Sequence, residues 1–287
     1  MTSERLNPLN DFIFLKIMGE KGDEEQLLSF LNAVLNRPEN QKLLSVEIMS
    51  NTTLPADIIG GKSCILDVLA ELENGDRINI EVQLRNPGNM DRRSLFYWSR
   101  EFNKGISAGE KYREVPNVIA INIVGYEFLP QVPDFHTTFH IWEDRHREIM
   151  LTDALEIHFL DMIKFRSLEG RDVTNNVLHR WLTYLDKRSP KKLVEEVIKM
   201  DIAIQKAEER LRTISQDAES LRLYEIREKA LYDWNSGIDF AERKGKEEGI
   251  KIGEQKGELK IVNLLKSGKS PEEIIKLTEN KYKENNQ

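Results

Sequence analysis

The chain has 287 residues, of which 39% are hydrophobic and 32% are charged, and its formal net charge is −7. This length allows one domain of ordinary size plus a second unit, and the sequence contains neither an apolar signal core nor a run near the roughly 18 apolar residues that a membrane helix needs. The single Cys64 excludes an internal disulfide and a cysteine-based zinc cluster, so we expect a cytoplasmic protein that does not bind membranes.

The first part of the chain, residues 11–36, is predicted to form two helices. Apolar residues recur there at helical spacing, and Gly19 and Gly22 separate the two pieces. Over residues 43–84 the pattern changes to that of strands, and two alternating strands flank an Asn-Gly turn. The chain therefore begins with helices and continues with a hairpin.

A helix and further strands follow the hairpin. The aromatic-rich segment near residues 91–108 is predicted to be helical, and the apolar run 118–124 is typical of a strand buried on both faces. Two more strands are predicted near residues 137–141 and 156–160. The order helix, three strands, helix, strand predicts an α/β fold with a mixed core in which a helix connects two strands.

Beyond residue 165 the sequence becomes helical and charged. Apolar and small residues recur in alternating steps of four and three, as in a coiled coil. They are Leu193, Val197, Met200, Ile204, Ala207, Leu211, Ile214, Ala218 and Leu221. A single helix with this stripe needs a partner, which is either another helix of the same chain or a second subunit. A homo-oligomer formed through the 193–221 helix is therefore one expectation.

The last part of the chain has glycine at every fourth position over residues 245–257. Each glycine costs roughly 1 kcal/mol relative to alanine in a helix, so a frayed helix or a linker is predicted. Ser270, Pro271 and Glu273 then form a strong helix start and predict a small helical hairpin. The predicted division is a core domain over 1–165, a helical region over 166–240, and a glycine-periodic linker with a hairpin over 241–287.

The hairpin within residues 65–84 has one apolar and one mixed face. The positions on the apolar face are all even-numbered, so the residues that pair across the strands must sum to an even number. A three-residue loop of Asn74, Gly75 and Asp76 satisfies this condition, and a two-residue loop does not. In that register Asp67 lies opposite Gln83 and diagonal to Glu81, with diagonal Cα atoms about 7–8 Å apart.

Asp67 and Glu81 are candidate ligands for a divalent cation. Two carboxylates on one face repel each other, and a bound Mg²⁺ removes that conflict while activating a water molecule. Gln83 beside them can orient the water by hydrogen bonds. The alternative is an ordinary half-exposed hairpin in which Arg77 and Arg85 pair with the carboxylates.

The order of these motifs resembles a known family. Asp67, followed by Glu81 and Gln83 on the next strand, is similar to the D…(E/Q)xK signature of PD-(D/E)XK nucleases, with Gln in place of the final Lys. The opening segment 10–18, the stretch 96–124 and the glycine-periodic tail add to the likeness. Together these segments, which extend over nearly the whole chain, resemble the Rpn family of recombination-promoting nucleases and transposases.

The resemblance implies a restriction-endonuclease-like αβββαβ core with a mixed sheet, followed by a helical C-terminal region. It also implies cleavage of DNA that depends on Mg²⁺ (or Mn²⁺) and a role in recombination. Asp67 and Glu81 fall on the metal-ligand positions, and Gln83 falls on the position of the catalytic Lys. Asp11 is a candidate accessory ligand, with the alternative that it caps the first helix.

A basic segment gives the predicted DNA a place to bind, although the acidic total charge argues against nucleic acid. The candidate contacts to the DNA backbone are Arg85, Arg92, Arg93, Arg100 and Lys104. The alternative for this segment is a solvated helix face.

Two further alternatives concern function. The chain is either a metal-dependent endonuclease or a non-catalytic DNA-binding or assembly protein that keeps the nuclease fold. His136 and His140 have a spacing that suits zinc on a helix, but their surroundings are strand-like, which disfavours a zinc site.

Overall fold

The structure is a computed structural model of the chain. It describes residues 5–49, 53–54, 64–65, 68–86, 88–106 and 111–284. None of the helices within these ranges has the length and the apolar composition that spanning a membrane would require.

Two helices open the chain, as predicted, with α1 at Asp11–Met18 and α2 at Glu24–Leu35. The side chain of Asn10 caps α1 by accepting a hydrogen bond from the backbone N–H of Phe12 at 3.2 Å. Asn36 ends α2 in the left-handed conformation, with φ of 44°. Capping and a left-handed C-cap thus set the two boundaries by local chemistry.

Six strands form a mixed sheet in the order β1-β4-β5-β6-β8-β7, and a separate two-stranded sheet pairs β2 with β3. The strand bounds are β1 Val46–Ile48, β2 Thr53–Leu54, β3 Cys64–Ile65, β4 Val68–Leu72, β5 Arg77–Gln83, β6 Val118–Val124, β7 His136–Trp142 and β8 Met150–Asp161. Strands β5, β6 and β8 are parallel and the other pairs are antiparallel. Helix α3, Met90–Lys104, makes the crossover between parallel β5 and β6. The predicted α/β class and the αβββαβ order are confirmed.

The hairpin of β4 and β5 keeps the predicted even sum but not the predicted register. Val68 lies opposite Ile80 and Ala70 lies opposite Ile78, whereas the sequence prediction placed Leu72 opposite Ile78. The loop is formed by residues 73–75, because Gly75 has a φ of 85° and Leu72 donates its N–H to the Asp76 carbonyl at 2.8 Å. The third loop position needs a positive φ, which glycine adopts without strain.

The main core lies on one face of the sheet, where the two helices that precede the sheet pack with helices that follow it. Helix α2 contacts α5 and α7, and α1 contacts α7 as well. The later helices are α4 Met162–Ser167, α5 Val177–Leu185, α6 Lys191–Met200 and α7 Ile202–Ile214. Trp181 of α5 is fully buried against Phe30 of α2, with ring centroids 5.9 Å apart. Helix α3 covers part of the opposite face.

The prediction of a single helix from the heptad pattern is wrong. Residues 191–214 form two helices, because Asp201 leaves helical geometry with φ of −135° and caps α7 through its carboxylate. Val197, Ile204 and Leu211 are buried in the main core of the same chain. These three residues therefore find their partners within the chain, whereas Met200 is 41% exposed. A homo-oligomer formed through the 193–221 segment remains a prediction.

The C-terminal part contains α8, Ala218–Lys266, and α9, Pro271–Glu284. The four periodic glycines lie inside α8, where the prediction was a frayed helix or a linker. Good helix formers between the glycines and a Lys244–Glu248 pair at 3.9 Å support the continuous helix. The predicted capping box is confirmed, since Ser270 and Glu273 exchange hydrogen bonds at 2.9 and 3.3 Å.

The chain forms two compact units, Met1–Lys229 and Ala230–Gln287. Within the first unit, helices α5, α6 and α7 share one core with the sheet. The predicted division at residues 165 and 240 remains a prediction.

Candidate metal and nucleic-acid site

Glu81 lies in the middle of parallel strand β5 and is 4% exposed. Alternation along the strand sets Ile80 and Val82 into the main core and turns Glu81 to the opposite face. On that second face Leu69 of β4 packs with Tyr97 of α3. The carboxylate is thus enclosed between the sheet and the helix that follows it.

Arg93 of α3 is the partner of this carboxylate. Its Nε donates to Glu81 Oε1 at 2.8 Å, and its Nη2 donates to the same oxygen. The other oxygen, Oε2, is buried and has no hydrogen-bond partner among the described residues. Burial raises the pKa of Glu81, and the Arg93 guanidinium works against that rise.

The exposure of the pair is unequal. The Arg93 side chain is 34% exposed and that of Glu81 is 5% exposed, so the guanidinium is the solvent-side member. Arg93 also lies over the ring of Tyr97, with 5.1 Å from its central carbon to the ring centroid. Sequence reasoning assigned Arg93 to DNA and did not find this pair, because the contact depends on how α3 packs on the sheet.

Tyr126 is a second group that sequence reasoning missed. It follows β6, beyond Gly125, whose N–H donates to the Gln83 carbonyl at 3.1 Å. Its hydroxyl is buried with no partner among the described residues. Burial raises the pKa of Tyr126, and the charge of Glu81 adds to the rise. The sequence signal for Tyr126 is its position: it continues the two-residue alternation of Asn122 and Val124 and so falls on the same side of the strand.

A buried polar pair joins α3 to the sheet beside Glu81. The Ser94 hydroxyl lies 2.8 Å from the Met90 carbonyl and 3.2 Å from Asn122 Oδ1, and the amide of Asn122 donates to the His158 carbonyl at 3.1 Å. Asn122 lies opposite Glu81 in the β5–β6 pairing. These bonds hold α3, and with it Arg93, at a fixed place on the sheet.

Asp67, the other predicted metal ligand, lies outside the described residues, and so does the predicted pairing of Asp67 with Gln83. Gln83 is half-buried and its amide donates to the Arg85 carbonyl at 3.0 Å. In the part of the chain that the structure describes, no group of three or more His, Cys, Asp or Glu side chains is arranged to hold a metal ion.

The alternative to a metal site was that Arg77 and Arg85 pair with the hairpin carboxylates, and the structure shows a partly different pairing. Arg77 lies 3.8 Å from Glu71, through its Nε and the Oε2 of Glu71. Glu81 is paired by Arg93, which is not one of the two arginines considered for that role.

Asp11, the candidate accessory ligand, is the first residue of α1 and accepts the Phe12 N–H at 2.8 Å. Its other oxygen forms an ion pair with Arg227 of α8. The residue that caps α1 is Asn10, so the capping alternative for Asp11 is wrong.

The basic candidates differ in their surroundings. Arg92 is exposed, whereas Lys104 is bound to the buried Glu101 at 2.6 Å. Arg100 has a buried Nη1 with no partner among the described residues. Arg92 can therefore contact an external phosphate without breaking an ion pair with a buried carboxylate. For Arg93 and Lys104 to bind DNA, each would first have to leave its buried glutamate, Glu81 or Glu101.

The histidines form a separate polar network between β7 and β8. His136 Nε2 and His158 Nδ1 are 2.9 Å apart, and His158 Nε2 is 2.7 Å from Glu156. Glu156 also pairs with Arg37 at 3.2 Å. Burial lowers the pKa of His136 to about 4. His136 and His140 lie on a strand, as the rejection of a helical zinc motif expected.

Comparison with known proteins supplies a family. No curated protein and no solved structure matches the chain. A family model described as PD-(D/E)XK nuclease family transposase matches residues 8–241. The match includes the whole six-stranded sheet and helices α1 to α7. This chain therefore belongs to the PD-(D/E)XK nuclease family of transposases.

Proposed function

We propose that this protein is an endonuclease that hydrolyses DNA phosphodiester bonds with Mg²⁺ or Mn²⁺ and promotes recombination. The observation that carries the proposal is the Glu81 carboxylate, which is buried on a parallel strand with its Oε2 left unpartnered among the described residues. An unpartnered buried carboxylate oxygen is unfavourable, and a bound cation is one group that would satisfy it. Family membership supplies the reaction class.

Asp67 is the proposed second ligand. It immediately precedes Val68, and the cross-strand partner of Val68 is Ile80, which immediately precedes Glu81. Two carboxylates and water molecules are the kind of oxygen ligand set that Mg²⁺ prefers. The bound ion would supply Lewis-acid polarisation of a phosphate and an activated water.

The chain's own groups then have defined tasks. Glu81 and Asp67 hold the cation, and the Gln83 amide orients a water molecule by hydrogen bonds. Gln83 lacks the positive charge that a lysine would bring to this position, so a nearby guanidinium is needed to balance a phosphate. Arg92, Arg93 and Arg100 are proposed to contact the DNA backbone from α3, with Arg85 and Lys104 beside them.

The test is nicking of supercoiled plasmid by the full-length protein with Mg²⁺. Asp67→Ala and Glu81→Gln are each expected to abolish nicking, because each removes a metal ligand. Glu71→Gln is the matched control, since Glu71 lies on the same hairpin with 39% of its side chain exposed. Nicking that survives in Asp67→Ala or Glu81→Gln would exclude the site as proposed.

A second candidate function is a DNA-binding or assembly protein without catalysis. The Arg93–Glu81 ion pair favours it, because the guanidinium occupies an oxygen that a metal ion would use. In that case wild type, Glu81→Gln and Glu71→Gln would all bind duplex DNA equally and none would nick the plasmid.

The proposed compartment is the cytoplasm. A chain with a single cysteine, Cys64, suits a reducing compartment.

A further inference from the structure

We propose that Arg93 is an exchangeable counter-ion, which leaves Glu81 when a divalent cation binds and then holds a phosphate of the DNA beside the cation. This inference rests on the proposed function and assigns Arg93 as a positioning residue of that site. It accounts for a contact that otherwise conflicts with metal binding at Glu81.

The geometry of the ion pair suits exchange. The Nε and Nη2 donors of Arg93 bind the same oxygen, Oε1, and Oε2 is buried without a hydrogen-bond partner among the described residues. A guanidinium that was the permanent partner of a buried carboxylate would ordinarily bind both oxygens, as a fork. Arg166 does so with the buried Asp186, at 2.9 and 3.0 Å. The same chain thus contains one arginine that binds both oxygens of a buried carboxylate and one that binds a single oxygen.

The burial of the pair sets the direction of exchange. Glu81 is enclosed at 5% exposure while Arg93 is 34% exposed, so Arg93 can withdraw toward solvent and Glu81 cannot. While it is ionised, a buried carboxylate needs a counter-charge, because desolvation penalises its isolated charge. Arg93 supplies that charge in the absence of metal, and a divalent ion supplies twice as much when it binds.

The released guanidinium has a nearby surface on which to remain. The ring of Tyr97, itself 4% exposed, lies 5.1 Å below the central carbon of Arg93. Cation–π attraction keeps the guanidinium at the mouth of the site after it leaves Glu81. There it provides the positive charge that Gln83 lacks, and its planar donors match a phosphate.

Exchange of this kind couples the cation to DNA. Binding of the cation frees a phosphate-binding group, so each ligand raises the affinity for the other by the same factor. A structural salt bridge predicts no such coupling, because the effect of the cation on DNA binding would then be unchanged by loss of Arg93.

The experiment measures Mn²⁺ binding to the full-length protein by electron paramagnetic resonance, without DNA. Arg93→Gln removes the competing charge and is expected to bind Mn²⁺ about tenfold more tightly than wild type, within the usual range of such coupling. Arg93→Lys should restore most of the wild-type affinity. Arg113→Gln is the control, since Arg113 is an exposed arginine with no assigned metal or DNA contact. Glu81→Gln should lose the binding in all backgrounds.

The second measurement is binding of a short DNA duplex with and without Ca²⁺. Ca²⁺ should strengthen DNA binding of wild type, and this gain should fall at least fivefold in Arg93→Gln. Mn²⁺ affinity that is unchanged or weaker in Arg93→Gln overturns the inference, as does an undiminished Ca²⁺ effect. If Arg93→Gln unfolds without metal, recovery of its thermal transition on adding Mn²⁺ supports exchange, and no recovery overturns it.

The two proposals fail separately. Metal-dependent nicking with no effect of Arg93→Gln on Mn²⁺ affinity would reject the proposed exchange and retain the proposed nuclease activity. Tighter Mn²⁺ binding by Arg93→Gln, in a protein that nicks no DNA, would reject the proposed nuclease activity and retain the proposed exchange.

Discussion

Asp76 in the β4–β5 turn accepts the backbone N–H of Asn117 at 2.9 Å, so the hairpin that carries Glu81 is tied to the start of the neighbouring strand β6. The other oxygen of Asp76 accepts the amide of Asn74 at 2.8 Å. The sequence prediction placed Asp76 inside the loop. The observed loop, residues 73–75, begins one residue earlier than predicted, so Ile78 pairs with Ala70 instead of Leu72.

Removing the Asp76 carboxylate should loosen this link. We expect Asp76→Ala to lower the free energy of unfolding by about 1–3 kcal/mol, because the part-buried backbone N–H of Asn117 and the amide of Asn74 lose a charged acceptor. Urea unfolding measures the change. Asp76→Asn keeps one acceptor oxygen and should lose less, and equal losses in the two variants would contradict this account.

The core helices provide a test of how the heptad stripe is used. Ile204 is fully buried within the chain, so Ile204→Ala should lower the free energy of unfolding by about 2–4 kcal/mol. Because the contacts are within one chain, the loss should not depend on protein concentration. The matched control is Ile202→Ala, since Ile202 is 70% exposed. A midpoint that rises with protein concentration would point to subunit contacts instead.

The His136 network should make the fold sensitive to acid. The pKa of His136 is lowered to about 4 in the fold by burial and by the charge of His158, against 6.5 in the unfolded chain. The unfolded state therefore binds more protons between pH 6.5 and 4, and stability falls as the pH is lowered through this window. We expect a loss of up to about 2–3 kcal/mol, measured by urea unfolding at several pH values.

The variant His136→Gln should flatten this pH dependence, since it removes the group that takes up the proton. The pKa of Glu156 is also lowered, by its hydrogen bond to His158, so its contribution is lost below pH 4.5. A slope that persists above pH 5 in His136→Gln would show that another group is responsible.

Asp23 should change the pH dependence of stability in the opposite direction to His136. Burial raises its pKa to about 6 from 3.8, although Arg210 opposes the rise. The folded state then binds the extra proton, so the stability due to this group falls as the pH rises from 3.8 to 6. Asp23→Asn keeps an acceptor for the Gln26 amide, now at 3.1 Å. It should raise the free energy of unfolding at pH 7.5 by about 1–2 kcal/mol, and no gain there would contradict the raised pKa.

The hydroxyl of Tyr126 offers a test that separates stability from chemistry. It is buried without a partner among the described residues, so Tyr126→Phe should leave the free energy of unfolding unchanged or raise it by up to about 1 kcal/mol. If the hydroxyl contacts the water or phosphate at Glu81, the nicking rate should fall at least about tenfold. An unchanged rate would assign Tyr126 to packing alone.

Local interactions within the sequence were enough to specify most elements of this protein. Side-chain alternation defined the two faces of the β4–β5 hairpin, and the apolar run 118–124 coincides with β6. Ser270 and Glu273 predicted a capping box that forms. Such patterns are readable because each depends on residues a few positions apart.

The tertiary structure decided which surfaces meet. A stripe of apolar residues states that a helix needs a partner, but it does not say that Asp201 divides the helix or that the partner is the same chain. Nor does the spacing of Glu81 and Arg93 show an ion pair, because that contact depends on how α3 returns across the sheet. The sequence therefore named the candidate carboxylate, and packing between distant elements determined the charge that faces it.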